Sequence, residues 1–193
     1  MNDGEIMQVP AALDAIRRDT ERIGFKMASE PQTGSLLRAL ASSKPGGRFL
    51  ELGTGTGVGT AWLLAGMDAG ARLDSVDSDA KAQEVARRHL EHDPRVTFHC
   101  IDGGAFIAQS PERQYDLVFA DAWAGKFTHL DAALSLLRVG GIYFIDDLLP
   151  QASWPEGHLS RVPGLIAELA SRPGFVATKL AWASGLMVVV RTK

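Results

Sequence analysis

Residues 49–60 decide the fold of this chain, and they read Phe49-Leu50-Glu51-Leu52-Gly53-Thr54-Gly55-Thr56-Gly57-Val58-Gly59-Thr60. The stretch passes from a short apolar segment, typical of a buried strand, through alternating glycines into a helix. Glycine lets a backbone turn sharply and approach a ligand closely, and a helix N-terminus offers unpaired N–H groups. The sequence therefore predicts a ligand-binding turn between a strand and the helix that follows it.

The spacing of the glycines narrows the choice of ligand. A dinucleotide fingerprint has the spacing G-x-G-x-x-G. Starting from Gly53 the last glycine would fall on Val58, and starting from Gly55 it would fall on Thr60. Neither register fits, which disfavours a nicotinamide-dependent dehydrogenase. The turn instead has an acid, Glu51, two residues before its first glycine.

Apolar strands alternate with helices on the C-terminal side of this turn. Near-continuous apolar strands that alternate with helices predict a parallel sheet covered on both faces. We expect strands over residues 48–52, 72–76, 95–101, 115–120 and 142–145, and helices over 60–67, 80–92, 105–109 and 130–137.

The last segment of the chain departs from that alternation. A predicted helix over 162–171 is followed by predicted strands over 175–183 and 186–191, with only Ser184-Gly185 between the strands. Parallel neighbours need a crossover of about a dozen residues, so these two strands pair antiparallel. The sequence predicts an α/β fold with a doubly wound, mostly parallel seven-stranded sheet and an antiparallel C-terminal hairpin. We expect residues 1–193 to form one domain, with residues 1–45 as helices covering the site.

Composition excludes several classes of protein. The 193 residues are 46% hydrophobic and 22% charged with a net charge of −3, which suits a globular protein and offers no basic field for nucleic acid. A single cysteine, Cys100, excludes an intrachain disulfide. The acidic first residues lack the apolar stretch of a signal peptide, and no apolar run approaches the ~20 residues that span a membrane. We expect a soluble cytoplasmic protein, with a homodimer left open.

Acids follow the second and third predicted strands. Asp77 and Ser78 end the second strand, where a carboxylate can accept hydrogen bonds from both hydroxyls of a ribose. Asp79 is better placed to cap the next helix. Asp102-Gly103 follows the third strand at the same sheet edge, where it suits an adenine, although a helix cap explains Asp102 equally well.

Together these residues resemble the class I S-adenosylmethionine-dependent methyltransferases. Three further stretches are similar to the catechol and caffeoyl-coenzyme A O-methyltransferase group within it, and the resemblance covers about residues 31–191. They are Tyr115-Asp116-Leu117-Val118-Phe119-Ala120-Asp121-Ala122-Trp123, Leu137-Arg138-Val139-Gly140-Gly141-Ile142-Tyr143-Phe144-Ile145-Asp146-Asp147 and Ser184-Gly185-Leu186.

The resemblance implies methyl transfer from S-adenosylmethionine to a hydroxyl oxygen of a small molecule. It implies a divalent cation such as Mg²⁺ on Asp121, Asp146 and Asp147, since hard cations prefer oxygen ligands, and it makes Asp121 the catalytic residue. The cofactor-binding residues it implies are Glu51, Gly53, Thr54, Gly55, Gly57, Asp77, Ser78, Asp102, Gly103, Asp121 and Trp123. The acceptor pocket would come from residues 24–33 and 148–159, with the loop at 150–158 over the site.

Two departures from that group keep alternatives open. Asp147 stands where the group usually has an amide, so three carboxylates around one divalent ion leave a formal charge of −1. Ala124 stands where the group often has a lysine base; Lys126 and His129 follow, and we expect both to be solvated residues at a helix start. The alternatives are a metal-independent methyltransferase of the same fold acting on another atom or on tRNA, and a non-catalytic S-adenosylmethionine-binding protein.

Overall fold

Helices and strands alternate through most of the chain. The computed structural model describes Glu5, residues 8–152 and residues 154–193. The strands are β1 Arg48–Leu52, β2 Arg72–Asp77, β3 Val96–Cys100, β4 Tyr115–Ala120, β5 Leu137–Ile145, β6 Phe175–Leu180 and β7 Leu186–Arg191. The helices are α1 Leu13–Ile23, α2 Pro31–Ser42, α3 Val58–Gly66, α4 Ala80–Leu90, α5 Gly103–Gln109, α6 Leu130–Ser135 and α7 His158–Ser171.

The strands form one sheet in the order β3-β2-β1-β4-β5-β7-β6. Strands β1 to β5 pair with one another in parallel, and β7 runs antiparallel to both β5 and β6. Gly185 makes the tight hairpin with a φ of 84°, and its N–H donates to the carbonyl of Trp182 at 2.9 Å. The predicted doubly wound seven-stranded sheet with an antiparallel C-terminal hairpin is confirmed.

Helices cover both faces of the sheet because its inner strands are apolar on both sides. In β1, Phe49 packs among the residues of α1 to α4, and Leu50 packs on the other face among residues of α5 to α7. Trp62 of α3 is fully buried in the first of these cores. Within the part of the chain that the structure describes, no helix has the length and apolar character needed to cross a membrane.

The parallel strands end at one edge of the sheet, which is where ligands of open α/β sheets bind. Helix α1 packs on α3 and α4, and α2 packs on α3, so the segment over residues 25–30 joins them near this edge. That segment, more than the helices themselves, faces the site. Residues 1–4, 6 and 7 of the predicted N-terminal cover lie outside the described residues, and the single domain stays a prediction.

Candidate active site

A cavity of about 560 Å³ opens at the carboxyl edge of the parallel strands. Its floor is formed by the residues that end or follow β1 to β5, namely Gly53, Asp77, Asp102, Asp121 and Asp146. Residues of the segments 25–30 and 151–158 also line it. Both segments lie within the ranges predicted from the sequence to form the acceptor pocket. The volume is in the range of small-molecule and cofactor sites.

The glycine turn brings its backbone to the surface of this cavity. Gly53 and Gly55 have φ values of 105° and 50°, in the left-handed region that favours glycine. A Cβ on Gly53 would lie 2.8 Å from the carbonyl oxygen of Asp121, and one on Gly55 would lie 3.1 Å from the ring of Phe25. A side chain at Gly53 would collide with the main chain of Asp121, and one at Gly55 would crowd Phe25, so the turn can pack in this way only with glycine at both positions.

Three of the predicted cofactor-binding residues lie behind the turn. Glu51 is fully buried, and its Oε2 accepts hydrogen bonds from the hydroxyls of Thr60 and Ser75 at 2.5 Å each. The hydroxyl of Thr54 shares a 2.7 Å hydrogen bond with that of Ser75, and Gly57 allows α3 to approach α4 closely. These residues hold the shape of the turn from below.

Glu51 is an acid with an unusual environment. Burial raises its pKa to about 8, and the charge of Asp77 adds to that rise, although the two hydroxyl donors lower it. Its Oε1 is buried without a hydrogen-bond partner. The side chain is therefore mostly protonated at neutral pH, so the turn rests on a neutral carboxyl group.

Asp77 connects the second strand to the glycine turn. Its Oδ2 accepts from the N–H of Gly55 at 2.7 Å, and its Oδ1 accepts from the N–H of Asp79 at 2.8 Å. Asp77 and Ser78 both line the cavity. Asp79 accepts from the N–H groups of Lys81 and Ala82, which confirms the predicted cap of α4.

The third and fourth strand ends meet across the cavity. Asp102 accepts from the N–H of Ala105 at 2.9 Å, which confirms its role as a helix cap, and it also lines the cavity. A Cβ on Gly103 would lie 2.9 Å from the Cβ of Ala124, so these two loops approach closely. Trp123 lines the same region, where a flat ring system would find an aromatic face.

Lys126 is not at the surface, and the expectation that it is solvated is wrong. Its side chain is only 2% exposed, and its Nζ lies 3.7 Å from Asp121 Oδ1 and 3.9 Å from Asp147 Oδ2. The same ammonium donates a 3.1 Å hydrogen bond to the main-chain oxygen of Asp146. His129 is exposed at the N-cap of α6, as expected.

The carboxyl groups of Asp121, Asp146 and Asp147 lie close to one another and to Lys126. Burial and the charge of Asp147 raise the pKa of Asp146 to about 6, while a hydrogen bond from Ser184 acts in the opposite direction. Burial and the charge of Asp146 raise the pKa of Asp121 well above its usual range, and the charge of Lys126 lowers it. Crowded carboxylates favour protonation unless a cation offsets them.

The described residues do not fit the predicted divalent-cation site. Among them, no group of three or more His, Cys, Asp and Glu side chains has an arrangement that could hold a metal ion. Asp121, Asp146 and Asp147 are brought together, but the ammonium of Lys126 stands within 4 Å of carboxylate oxygens on two of them. A divalent ion would meet a fixed positive charge beside its own ligands.

Two serines of the site were not found by sequence reasoning. Ser29 donates to Asp121 Oδ2 at 3.2 Å, and Ser184 donates to Asp146 Oδ1. The first pair is separated by 92 residues and the second by 38. No local spacing marks these contacts, because each depends on how distant segments return to the sheet edge.

The loop before α7 covers one side of the cavity with aromatic rings. His158 stacks on Trp154 with 4.1 Å between ring centroids, and its Nε2 lies 3.0 Å from the main-chain oxygen of Asp147. Burial lowers the pKa of His158, so its ring is neutral at pH 7. The loop predicted to cover the site thus lines the cavity and contacts the main chain of Asp147; Ser153 within it lies outside the described residues.

Comparison with known proteins identifies the relatives of this chain. Residues 50–148 match the family described as a methyltransferase domain. A protein of Mycolicibacterium vanbaalenii, whose name provisionally assigns it as an O-methyltransferase, is 33% identical over 137 residues, which are 68% of this chain and 60% of that relative. A second relative, from Mycolicibacterium smegmatis, is 34% identical, and the chain spans 55% of it.

Solved structures share the fold. The cofactor-bound protein Rv0187 from MTB has a TM-score of 0.86 at 22% identity, covering 99% of this chain and 94% of that protein. An O-methyltransferase from Bacillus cereus in complex with SAH has a TM-score of 0.82 at 21% identity, covering 96% and 93%. At these identities the match establishes the architecture alone.

Proposed function

This chain belongs to the methyltransferase domain family, and on that premise we propose that it transfers a methyl group from S-adenosylmethionine to a hydroxyl oxygen of a small molecule. The observation that carries the proposal is the hydrogen bond from the Gly55 N–H to Asp77 Oδ2 at 2.7 Å. It joins the glycine turn and the strand-end acid, two separate motifs, in one cavity. The relative from Mycolicibacterium vanbaalenii carries a provisional O-methyltransferase name, which supports the choice of oxygen as the methyl acceptor.

In this proposal the cofactor lies along the ends of β1 to β4. Gly53 and Gly55 expose backbone to the methionine portion, while Asp77 and Ser78 hold the ribose hydroxyls. Glu51, Thr54 and Gly57 keep the turn in shape from behind rather than touching the cofactor. The adenine is bordered by Asp102 and Gly103 on one side and by Trp123 on the other.

Methyl transfer from this cofactor needs alignment more than acid catalysis. S-adenosylmethionine supplies a methyl group on a sulfonium, whose sulfur keeps the bonding electron pair and leaves as a neutral thioether as the acceptor oxygen loses its proton to solvent. The protein's task is to hold donor and acceptor in line, which contributes a large share of the rate. Asp121 is the member of the aspartate cluster that lies beside the glycine turn, and we assign it to the reacting end of the cavity.

The charge of the cavity favours a small acceptor over a nucleic acid. Phosphates bind where Lys and Arg neutralise them, whereas aspartates are frequent in this lining. Phe25, Met27 and Trp154 add apolar surface suited to a compact organic acceptor. A cytoplasmic location and a homodimer stay predictions. The acidic lining residues are Glu30, Asp77, Asp79, Asp102, Asp121, Asp146 and Asp147.

Calorimetric titration with S-adenosylhomocysteine tests the cofactor assignment. Asp77→Ala removes charge-assisted hydrogen bonds worth about 1.5–3 kcal/mol, so the Kd should rise by roughly 10- to 150-fold. Asp79→Ala is the matched control at the same strand end. It should lower the free energy of unfolding by about 1 kcal/mol as a lost helix cap and leave affinity nearly unchanged.

Two results would contradict this assignment. Wild-type protein that binds no S-adenosylhomocysteine would refute the cofactor itself. A larger loss of affinity for Asp79→Ala than for Asp77→Ala would show that Asp79, and not Asp77, binds the ribose.

A further inference from the structure

The site contains an internal cation, the ammonium of Lys126, where the family resemblance implies a metal ion. Lys126 Nζ lies 3.7 Å from Asp121 Oδ1, 3.9 Å from Asp147 Oδ2 and 3.1 Å from the main-chain oxygen of Asp146. Lysine is almost never this deeply buried unless it is paired, and here its partners are the three residues predicted to bind the metal. This is a different arrangement from a surface ion pair.

Other donors bind two further carboxylate oxygens of the cluster. Asp146 Oδ1 accepts from the N–H of Asp147 at 2.7 Å and from the hydroxyl of Ser184. Asp121 Oδ2 accepts from the hydroxyl of Ser29 at 3.2 Å. A divalent ion requires six or more oxygen ligands at about 2.0–2.6 Å, and here it would compete for the aspartate oxygens with these donors and with the ammonium of Lys126.

We propose that the ammonium of Lys126 takes the place of the divalent cation in this site, so that the negative charge of the aspartate cluster is partly offset from within and methyl transfer needs no metal. The consequence for catalysis rests on the proposed function, because it concerns the acceptor oxygen. Lys126 lines the cavity, and one of its three N–H donors is bonded to the main chain. Its other two N–H donors lie near the carboxylates of Asp121 and Asp147, which are at ion-pair distance. From there the ammonium can donate a hydrogen bond to the acceptor oxygen.

Binding of Mn²⁺ without cofactor or acceptor tests this inference directly. The proteins are wild type, Lys126→Ala, and Lys179→Met, in which an exposed lysine on the edge strand β6 is removed. Wild type and Lys179→Met should show no saturable Mn²⁺ binding by calorimetry and no change in Tm with Mn²⁺, Mg²⁺ or EDTA. Lys126→Ala leaves the carboxylates without a cation, so it should bind Mn²⁺ at least tenfold more tightly and melt several degrees higher with it.

Each alternative result decides the matter. Stoichiometric Mn²⁺ binding by wild type that Asp146→Asn abolishes would overturn the inference. A folded Lys126→Ala that binds Mn²⁺ no more tightly than wild type would also overturn it. If Lys126→Ala does not fold, the wild-type titration still decides, and Lys126→Arg, which keeps the charge, should fold and remain insensitive to Mn²⁺.

A separate titration with S-adenosylhomocysteine distinguishes failure of this inference from failure of the proposed function. Wild type that binds both S-adenosylhomocysteine and Mn²⁺ keeps the cofactor assignment and loses the lysine assignment. Wild type that binds neither loses the cofactor assignment, whereas the lysine assignment stands.

Discussion

The two halves of the cavity are built in different ways. The half at the ends of β1, β2 and β3 consists of short motifs that directly follow strands, and its ligand-facing groups are largely backbone and strand-end acids. The half at the ends of β4 and β5 is assembled from side chains that are far apart along the chain. Its contacts join Ser29 to Asp121, Lys126 to Asp147 and Ser184 to Asp146.

This difference separates cofactor binding from acceptor chemistry. A turn formed by consecutive residues keeps its shape wherever the same strand and helix pack. A cluster of buried charges depends on every segment that supplies a partner, because each unpaired charge would be costly. We therefore expect changes in the first half to alter cofactor affinity strongly, and changes in the second half to alter it only slightly.

The largest effect is expected for Gly55→Val. Gly55 has a φ of 50°, and a Cβ would lie 3.1 Å from the ring of Phe25. A branched side chain would push against Phe25, which lines the cavity, and would strain the turn, so affinity for S-adenosylhomocysteine should fall at least 1,000-fold, which corresponds to about 4 kcal/mol. Calorimetry measures this, with circular dichroism to show that the fold persists.

Gly46→Val is the matched control for backbone strain. Gly46 has a φ of 65°, and a Cβ there would meet nothing within 4 Å. The substitution should cost roughly 1–2 kcal/mol of stability for the left-handed backbone and leave affinity unchanged. If Gly55→Val bound S-adenosylhomocysteine within threefold of the wild-type affinity, the turn would not contact the cofactor. The contrast between the two halves of the cavity would then be wrong.

The second effect concerns the neutral acid behind the turn. The pKa of Glu51 is raised from 4.5 to about 8, so between these values the folded protein holds a proton that the unfolded chain has lost. The free energy of unfolding should therefore fall as pH rises through this window, by up to about 1.4 kcal/mol per pH unit. Glutamine cannot ionise, so Glu51→Gln should remove this slope. Between pH 5 and pH 8 the free energy of unfolding of the variant should rise relative to that of wild type by on the order of 3 kcal/mol.

Urea unfolding from pH 5 to pH 8 without ligand measures that slope. Glu84→Gln is the matched control, because the Glu84 side chain is 65% exposed and its replacement should leave the pH dependence as in wild type. Parallel slopes for wild type and Glu51→Gln would show that Glu51 is charged in the folded protein.

The smallest effect is expected in the other half of the cavity. Ser29→Ala removes one hydrogen bond of 3.2 Å to Asp121 Oδ2, worth about 0.5–1.5 kcal/mol. Affinity for S-adenosylhomocysteine should fall by roughly two- to tenfold, and Ser42→Ala, at the exposed end of α2, should have no effect. A loss for Ser29→Ala as large as that for Gly55→Val would remove the distinction between the halves.

The sequence determined the sheet and the cofactor half because both depend on local signals. Apolar strands, a glycine turn and the short Ser184-Gly185 link constrain backbone paths within a few residues, so β1, β4 and β7 begin and end where predicted. Asp77 ends β2, and Asp79 caps the helix that follows, a role that its position predicted. The hydrogen bond from the Gly55 N–H to Asp77 was not predicted from the sequence.

Tertiary structure alone decided the charge balance of the acceptor half. Lys126 follows Trp123-Ala124-Gly125, and nothing in that spacing indicates that its ammonium is buried beside Asp121 and Asp147. A lysine side chain is long enough to reach either solvent or an acidic cluster. Which it does depends on the desolvation and pairing that form when distant strand ends meet, and those interactions exist only in the folded chain.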